Sequence, residues 1–380
     1  MTAPSPQPCS YEARAWLGDQ LIATSAATLR VDEPGAAPVL LFPAAAVAPA
    51  GAALAAPATD GYVTFDPERV RVELVDAAPG SDERDVTTKA FPTWGDASDL
   101  VAIMDVRPGP ATGRGATYVS VGRADHRRPV VEGSQMLGQA IVAAGRHAPG
   151  RRVVSASMVF VRVADAAQPM TFELEELANG RTFTGLTIRV HQGDRLCASG
   201  TFLLDVKAPD AIRHAVDAPE VAGPYESIPF DMSVTGRDIR VVDGAYTGDP
   251  EAPVGPPELD AWVRFRDLPA DPPLHAGLLA QFTGHMPIAA AFRPHAGIGQ
   301  DAAHRTLSTA INAITISFHA DPRADRWMHY HHLSTSAGDG MTHAECRVFD
   351  EGGALLASFA VEAMVRPLPT HHVVDERKSL

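Results

Sequence analysis

Gly133–Gly145 reads GSQMLGQAIVAAG, and four alternating runs follow it: RVVSASMVFVRV (Arg152–Val163), MTFELEEL (Met170–Leu177), FTGLTIRVH (Phe183–His191) and LCASGTFLLDV (Leu196–Val206). The first stretch spaces its apolar residues as a helix does. The runs after it alternate with period 2, and Asn179-Gly180 and Gln192-Gly193-Asp194 supply turns between them. A helix followed by a meander of antiparallel strands can bury that helix only if the sheet wraps around it.

The pattern occurs twice. A second copy starts with a strand over Ala261–Arg266 and a helical stretch over Leu274–Ala291. Strands follow at Thr306–His319, Trp327–Ser334, Thr342–Phe349 and Leu355–Arg366. Ala164-Asp165 in the first copy matches Ala320-Asp321 in the second, and Ala198-Ser199 matches Ala357-Ser358, at nearly constant spacing. The expected fold class is therefore α+β: a double hotdog, two tandem units each with a long helix wrapped by an antiparallel sheet, preceded by a small all-β domain.

The boundaries read from the sequence are as follows. A tail covers 1–8, a small all-β domain 9–107 and a Gly/Pro-rich linker 108–116. The first hotdog covers 117–208, a proline-rich crossover linker 209–257, the second hotdog 258–368 and a tail 369–380. In the first domain β-like runs are expected at Arg14–Thr24, Ala27–Val31, Pro38–Phe42 and Gly61–Phe65. Asp66, Glu68, Asp82, Glu83 and Asp85 form no compact acid–base arrangement there, so no independent activity is expected of it. A chain starting near Thr117 should then still fold.

Composition narrows the partners. With 32 Lys plus Arg against 46 Asp plus Glu the formal net charge is −14, and no run of like charges could follow a phosphate backbone. Nucleic acid is excluded as a partner. Lysine occurs only at Lys89, Lys207 and Lys378, so a local arginine would have to hold any small anion. Cys9, Cys197 and Cys346 lie far apart without CxxC spacing, which argues against a disulfide framework, a zinc knuckle or an iron–sulfur site. Pro43, Pro49 and Pro57 interrupt the most apolar stretch, Val39–Ala58, so no membrane insertion is expected. The first residues show no secretory pattern, and a cytoplasmic protein is expected.

Three quoted stretches carry a resemblance: GSQMLGQAIVAAG, FVRVADAAQPMTFELEELANGRTF, and WMHYHHLSTSAGDGMTHAECRVFDEGGALLASFAVEAMVR. Over about 118–367 the chain resembles the acyl-CoA thioesterase II family. LGDQLIATSAATLRV, VLLFPAAAV and GYVTFDPERV make the N-terminal unit resemble a bacterial domain of unknown function, family 427. The thioesterase resemblance implies a double hotdog acting on an acyl-CoA or related acyl thioester, with no metal or organic cofactor. Homo-oligomers are an open possibility.

Thioester hydrolysis needs a held water, a group to take its proton, and donors where the carbonyl oxygen becomes negative. The resemblance implies a carboxylate on the second central helix, a hydroxyl on the next long strand and a glutamine on the last strand. Residue by residue, those positions fall on Gly284, Ile311 and Val361. None of the three can do this work.

Substitutes are sought nearby. His285 follows Gly284 on an otherwise apolar helix and titrates in the useful range. It reads as a general base or as an ordinary hydrogen-bonded histidine. Strand alternation puts Thr309, Thr315 and His319 on the face of Ile311, with Ser308 and Asn312 opposite; Thr309 and Asn312 are retained as catalytic candidates. Gln300, in the loop Arg293–His304, could orient water.

Glu132 precedes the first helix, where an acid ordinarily caps, yet facing halves would pair it with His285. Single-hotdog dehydratases build such a pair across a dimer, an analogy only. Gln135, Gly138 and His304 are the candidate substrate-binding residues. Glu362 should point away from Val361. The histidines of His329–His332 alternate between faces, so no metal site is expected there. Three readings remain open: a thioesterase with a non-standard site, a non-hydrolytic acyl-thioester-binding module, and a hydratase or dehydratase.

Overall fold

In the computed structural model, Gly133–His147 is a 15-residue helix, α1, and its residues from Met136 to Gly145 are all buried. The structure describes residues 6–8, 12–31, 39–76, 87–90, 103–110, 115–121, 130–230, 237–265, 268–303 and 306–368. Strands β1 (Val106–Pro108) and β2 (Ala116–Ser120) precede α1. Strands β3 (Arg152–Phe160), β4 (Thr171–Asn179), β5 (Phe183–Gln192) and β6 (Arg195–Asp205) follow it. The second half comprises β7 (Ile228–Pro229), β8 (Arg237–Val241), β9 (Glu258–Phe265), helices α2 (Pro272–Gln281) and α3 (Pro287–Phe292), and β10 (Leu307–Phe318), β11 (Met328–Gly338), β12 (Met341–Asp350) and β13 (Leu355–Pro367).

All 13 strands form one sheet, in the order β1-β2-β4-β5-β6-β3-β10-β13-β12-β11-β9-β8-β7. The halves join where β3 pairs antiparallel with β10, from Ser155 opposite Ser317 to Val159 opposite Ala313. Inside the wrap the helices meet each other. A Cβ on Gly138 would lie 2.5 Å from the Gly277 carbonyl oxygen, and one on Gly277 would lie 2.8 Å from the Gly138 carbonyl oxygen. Only glycine lets α1 and α2 cross this closely. One apolar core runs through both halves, from Met136, Leu137 and Ile141 on α1 to Leu274, Leu278 and Leu279 on α2.

Several boundaries shift. Ile103, Met104 and Val106 belong to the double-hotdog core, and β1 pairs with β2, so that body begins before residue 108. A chain cut near Thr117 would lose a strand and three buried side chains. The crossover read as linker over 209–257 contributes β7 and β8 to the sheet, because RDIRV over Arg237–Val241 is buried along its whole length. The helical stretch expected over Leu274–Ala291 breaks into α2, a 3-10 turn over Phe282–Gly284 and α3. Pro287 lacks the N–H that would continue the helix and its ring disfavours the preceding turn.

Before this body, short strands form two further sheets. Glu12–Leu17 and Gln20–Ser25 make a hairpin where a single run was expected over Arg14–Thr24. Gln7–Pro8, read as tail, pairs with Leu29–Arg30. Ala13, Ala15, Ile22, Leu40, Phe42, Phe65 and Val70 make a separate small core. The apolar stretch after Val39 forms a strand and two 3-10 turns, and no helix among the described residues is long and apolar enough to cross a membrane.

Candidate functional site

The two halves meet at one imidazole. Glu132 immediately precedes α1, His285 sits in the break between α2 and α3, and Arg237 opens β8. Glu132 Oε2 lies 3.3 Å from His285 Nε2, with the side chains 33% and 5% exposed respectively. Arg237, only 1% exposed, brings Nη2 to 3.3 Å from the same Nε2. Its Nη1 donates to Gln281 Oε1 at 2.9 Å. The His285 ring stacks on Phe282 with centroids 4.8 Å apart and planes 8° apart. The Arg237 guanidinium carbon lies 5.5 Å from the centroid of that same phenyl ring.

The helix break makes this geometry possible. His285 follows the 3-10 turn between α2 and α3, and its imidazole reaches the carboxylate that precedes α1. Glu132 holds the cap position of α1 but makes no side-chain capping bond. Its carboxylate goes to His285 instead, so the ordinary capping role is corrected. The first-turn amides of α1 lack intrahelical acceptors, and the helix dipole makes that end attractive to developing negative charge.

The positions expected to carry the family's chemistry are apolar, and of these Gly284 directly precedes His285. A Cβ on Gly284 would lie 3.8 Å from Ile311 Cγ1, but also 2.7 Å from Ser134 Oγ and 3.0 Å from Ser134 Cβ. Ser134, 2% exposed, thus fills from the first half the space a side chain at 284 would need. Val361 is buried in the core. Glu362 is exposed and accepts a hydrogen bond from His343 Nδ1 at 2.6 Å, facing away from Val361 as expected.

The other candidates scatter. Thr309 is 5% exposed on β10, two residues from Ile311. The expected face of Thr315 and His319 is corrected: the β10–β13 register shifts between Ile311 and Ala313. That bulge at Asn312 reverses the alternation beyond it. Thr315 is exposed and bonds Ser157 Oγ at 2.8 Å; His319 bonds Ser358 Oγ at 2.9 Å. Asn312 Oδ1 is buried without a hydrogen-bond partner among the described residues.

Gln300 lines a different cavity of about 260 Å³, with Asp243, Thr247, Arg293 and His295. Its backbone N–H donates to the Thr247 carbonyl at 2.8 Å, which docks the loop on the crossover segment. Gly138 is where α1 and α2 cross. Gln135 is half-buried on α1, and His304 lies outside the described residues.

Histidines of β11 divide between two faces. His329 Nε2 and His331 Nδ1 both donate to Asp260 Oδ1, at 2.7 and 3.0 Å, and these bonds hold the Asp260 carboxyl well below its ordinary range against the opposing effect of burial. Tyr330 and His332 face the core. Tyr330 donates to the Leu279 carbonyl at 2.9 Å, and burial pushes its phenol well above 10. Burial likewise lowers His332 to about 4. No group of three metal-ligating side chains occurs among the described residues.

Sequence reasoning missed Ser134, Gln281 and Arg237. Ser134 carried a signal, a hydroxyl two residues after Glu132 at the start of the helix. Arg237 carried none, because the segment around it read as linker.

The comparisons with known proteins agree on one family. Residues 123–204 match the family model described as acyl-CoA thioesterase N-terminal domain, and residues 213–365 match acyl-CoA thioesterase C-terminal domain; together they span more than half of the chain. Human acyl-coenzyme A thioesterase 8 is 24% identical over 271 residues, covering 62% of this chain and 81% of its own length. Acyl-CoA thioesterase 2 of Haemophilus influenzae is 24% identical over 257 residues, covering 62% and 87%. Among solved structures, the tesB protein of Mycobacterium avium subs paratuberculosis superposes with a TM-score of 0.59 at 24% identity, covering 72% of this chain and 100% of its own. A hotdog-fold protein of unknown function from Alicyclobacillus acidocaldarius gives 0.56 at 15% identity, covering 72% and 100%. These likenesses show the hotdog fold.

Proposed function

The chain belongs to the acyl-CoA thioesterase family, and from that premise we propose that it hydrolyses an acyl-CoA thioester at a rebuilt site, with His285 as general base and Glu132 as the carboxylate that stabilises its protonated form. The observation that carries this reading is the 3.3 Å approach of Glu132 Oε2 to His285 Nε2, joining the two halves beside the emptied position 284.

The steps follow from the groups present. His285 takes a proton from a water that attacks the thioester carbonyl carbon. The imidazolium formed is paired by Glu132, whose negative charge favours it. The carbonyl oxygen becomes an oxyanion against the first-turn amides of α1, from Gly133 to Gln135. Collapse of the tetrahedral intermediate breaks the carbon–sulfur bond, and His285 returns its proton to the departing CoA thiolate. Thr309 is the hydroxyl that helps hold the water.

Finer assignments belong to the same reading. The N-terminal sheets form a unit like the family 427 domain, with a structural or docking role, and the protein works in the cytoplasm on an acyl-CoA or related acyl thioester without an added cofactor.

The full chain, offered acyl-CoAs from short to long, should release free thiol, read with a chromogenic thiol reagent, and should be stabilised by the chains it hydrolyses. The loss of side-chain chemistry at Gly284, Ile311 and Val361 favours a second reading, a non-hydrolytic acyl-thioester binder. Thermal stabilisation without thiol release on every chain length would establish that reading against ours.

A further inference from the structure

Nε2 of His285 has two neighbours of opposite kind at the same distance, 3.3 Å each: Glu132 Oε2 and Arg237 Nη2. A guanidinium can only donate and stays charged at any ordinary pH; an ionised carboxylate can only accept. One nitrogen cannot serve both at once. A neutral imidazole with its lone pair on Nε2 accepts from Arg237. An imidazolium has a proton there and gives it to Glu132. Each neighbour therefore favours one protonation state.

We infer that Arg237 is a positioning residue of this site: its Nη2–H donates to Nε2 of the resting, neutral His285, and that contact opens when the nitrogen takes a proton. The inference rests on the reading of His285 as the base. Its burial and two further contacts show that the arginine is built into place rather than passing by. It is 1% exposed, its second nitrogen donates to Gln281 Oε1 at 2.9 Å, and its guanidinium lies over the Phe282 ring on which His285 itself stacks. Gln281 and Phe282 are consecutive, so the last residue of α2 and the first of the 3-10 turn after it hold the arginine and the imidazole with adjacent side chains.

Among the described residues the charged or titratable groups facing His285 are Glu132 from the start of α1 and Arg237 from β8. Behind Phe282, Tyr330 of β11 packs edge-on to that ring at 5.0 Å and stays a neutral phenol at working pH.

A buried cation beside the imidazole disfavours its protonated form. Base catalysis should then persist to lower pH than an isolated Glu132–His285 pair would allow. Without the arginine's charge the imidazolium gains relative to the wild type, and the base is lost at higher pH.

The test is the pH dependence of kcat/KM for thiol release by the full chain, on whichever acyl-CoA is turned over best. In Arg237→Gln, which keeps a hydrogen-bonding amide and loses the charge, the acid limb should move up by about one pH unit or more, with activity on the alkaline plateau falling much less than activity below the limb. Arg237→Lys keeps the charge and should hold the limb near its original position. An unmoved limb in Arg237→Gln, or equal loss at every pH in both variants, would overturn the inference.

Should Arg237→Gln fail to fold, Arg237→Lys still decides through the His285 titration followed by NMR and assigned by its loss in His285→Gln. A value for His285 in Arg237→Lys shifted up as far as an uncharged pair requires would refute the role of the charge. His285→Gln separates the two claims: full turnover in that variant removes the base itself, whereas lost turnover with an unmoved limb in Arg237→Gln removes only the role of the arginine.

Discussion

Placing alanine at Gly284 tests whether Ser134 has taken the space of the side chain this position would otherwise carry. The new Cβ would lie 2.7 Å from Ser134 Oγ and 3.0 Å from Ser134 Cβ. Both are inside ordinary van der Waals contact, and Ser134 is 2% exposed on a helix packed on every side, so it has little room to yield. Overpacking of this kind costs about 1–3 kcal/mol, and at roughly 2–4 °C per kcal/mol the unfolding midpoint of the double-hotdog body should fall by about 2–12 °C. Ser134→Gly removes both clashing atoms. In that background Gly284→Ala should cost about 1 kcal/mol or more less than in the wild type, a coupling well above the error of additive sites. Urea unfolding of the four proteins in the cycle measures it. Equal cost of Gly284→Ala in both backgrounds would refute the reasoning, and so would a neutral effect in the wild type.

Gly138→Ala should be more damaging, because its Cβ would lie 2.5 Å from the Gly277 carbonyl oxygen and 2.5 Å from Met104 Cε; a loss of about 2 kcal/mol or more is expected in the same unfolding assay. His332, lowered by burial from 6.5 to about 4, takes up protons more readily unfolded than folded. Its contribution to stability is full above about pH 6.5 and is lost as pH falls through about 4, amounting to about 3 kcal/mol over the window; stability measured against pH should lose that slope in His332→Gln. Thr309→Val should lower turnover by less than loss of His285 does, with acyl-CoA binding little changed, as read by thiol release and thermal shift.

The duplication was legible because burial writes its period into the chain: helical spacing over GSQMLGQAIVAAG, alternation in the strands after it, and the same order again from Ala261. The pairing of Glu132 with His285 was legible too, once the halves were taken to face each other. Other features depend on contacts without a local pattern. A one-residue bulge at Asn312 sends Thr315 to the outer face, and nothing in LSTAINAITISF announces it. RDIRV is buried from both sides and so lacks alternation, which hid β8 inside an apparent linker and Arg237 with it.

The most direct test of the account is turnover by His285→Ala alongside its affinity for the same acyl-CoA. A fall in kcat of about 10²-fold or more is expected, the low end of general acid–base contributions, with binding close to that of the wild type. Undiminished thiol release from a folded His285→Ala protein would contradict it, and would place the proton-accepting group elsewhere in the site.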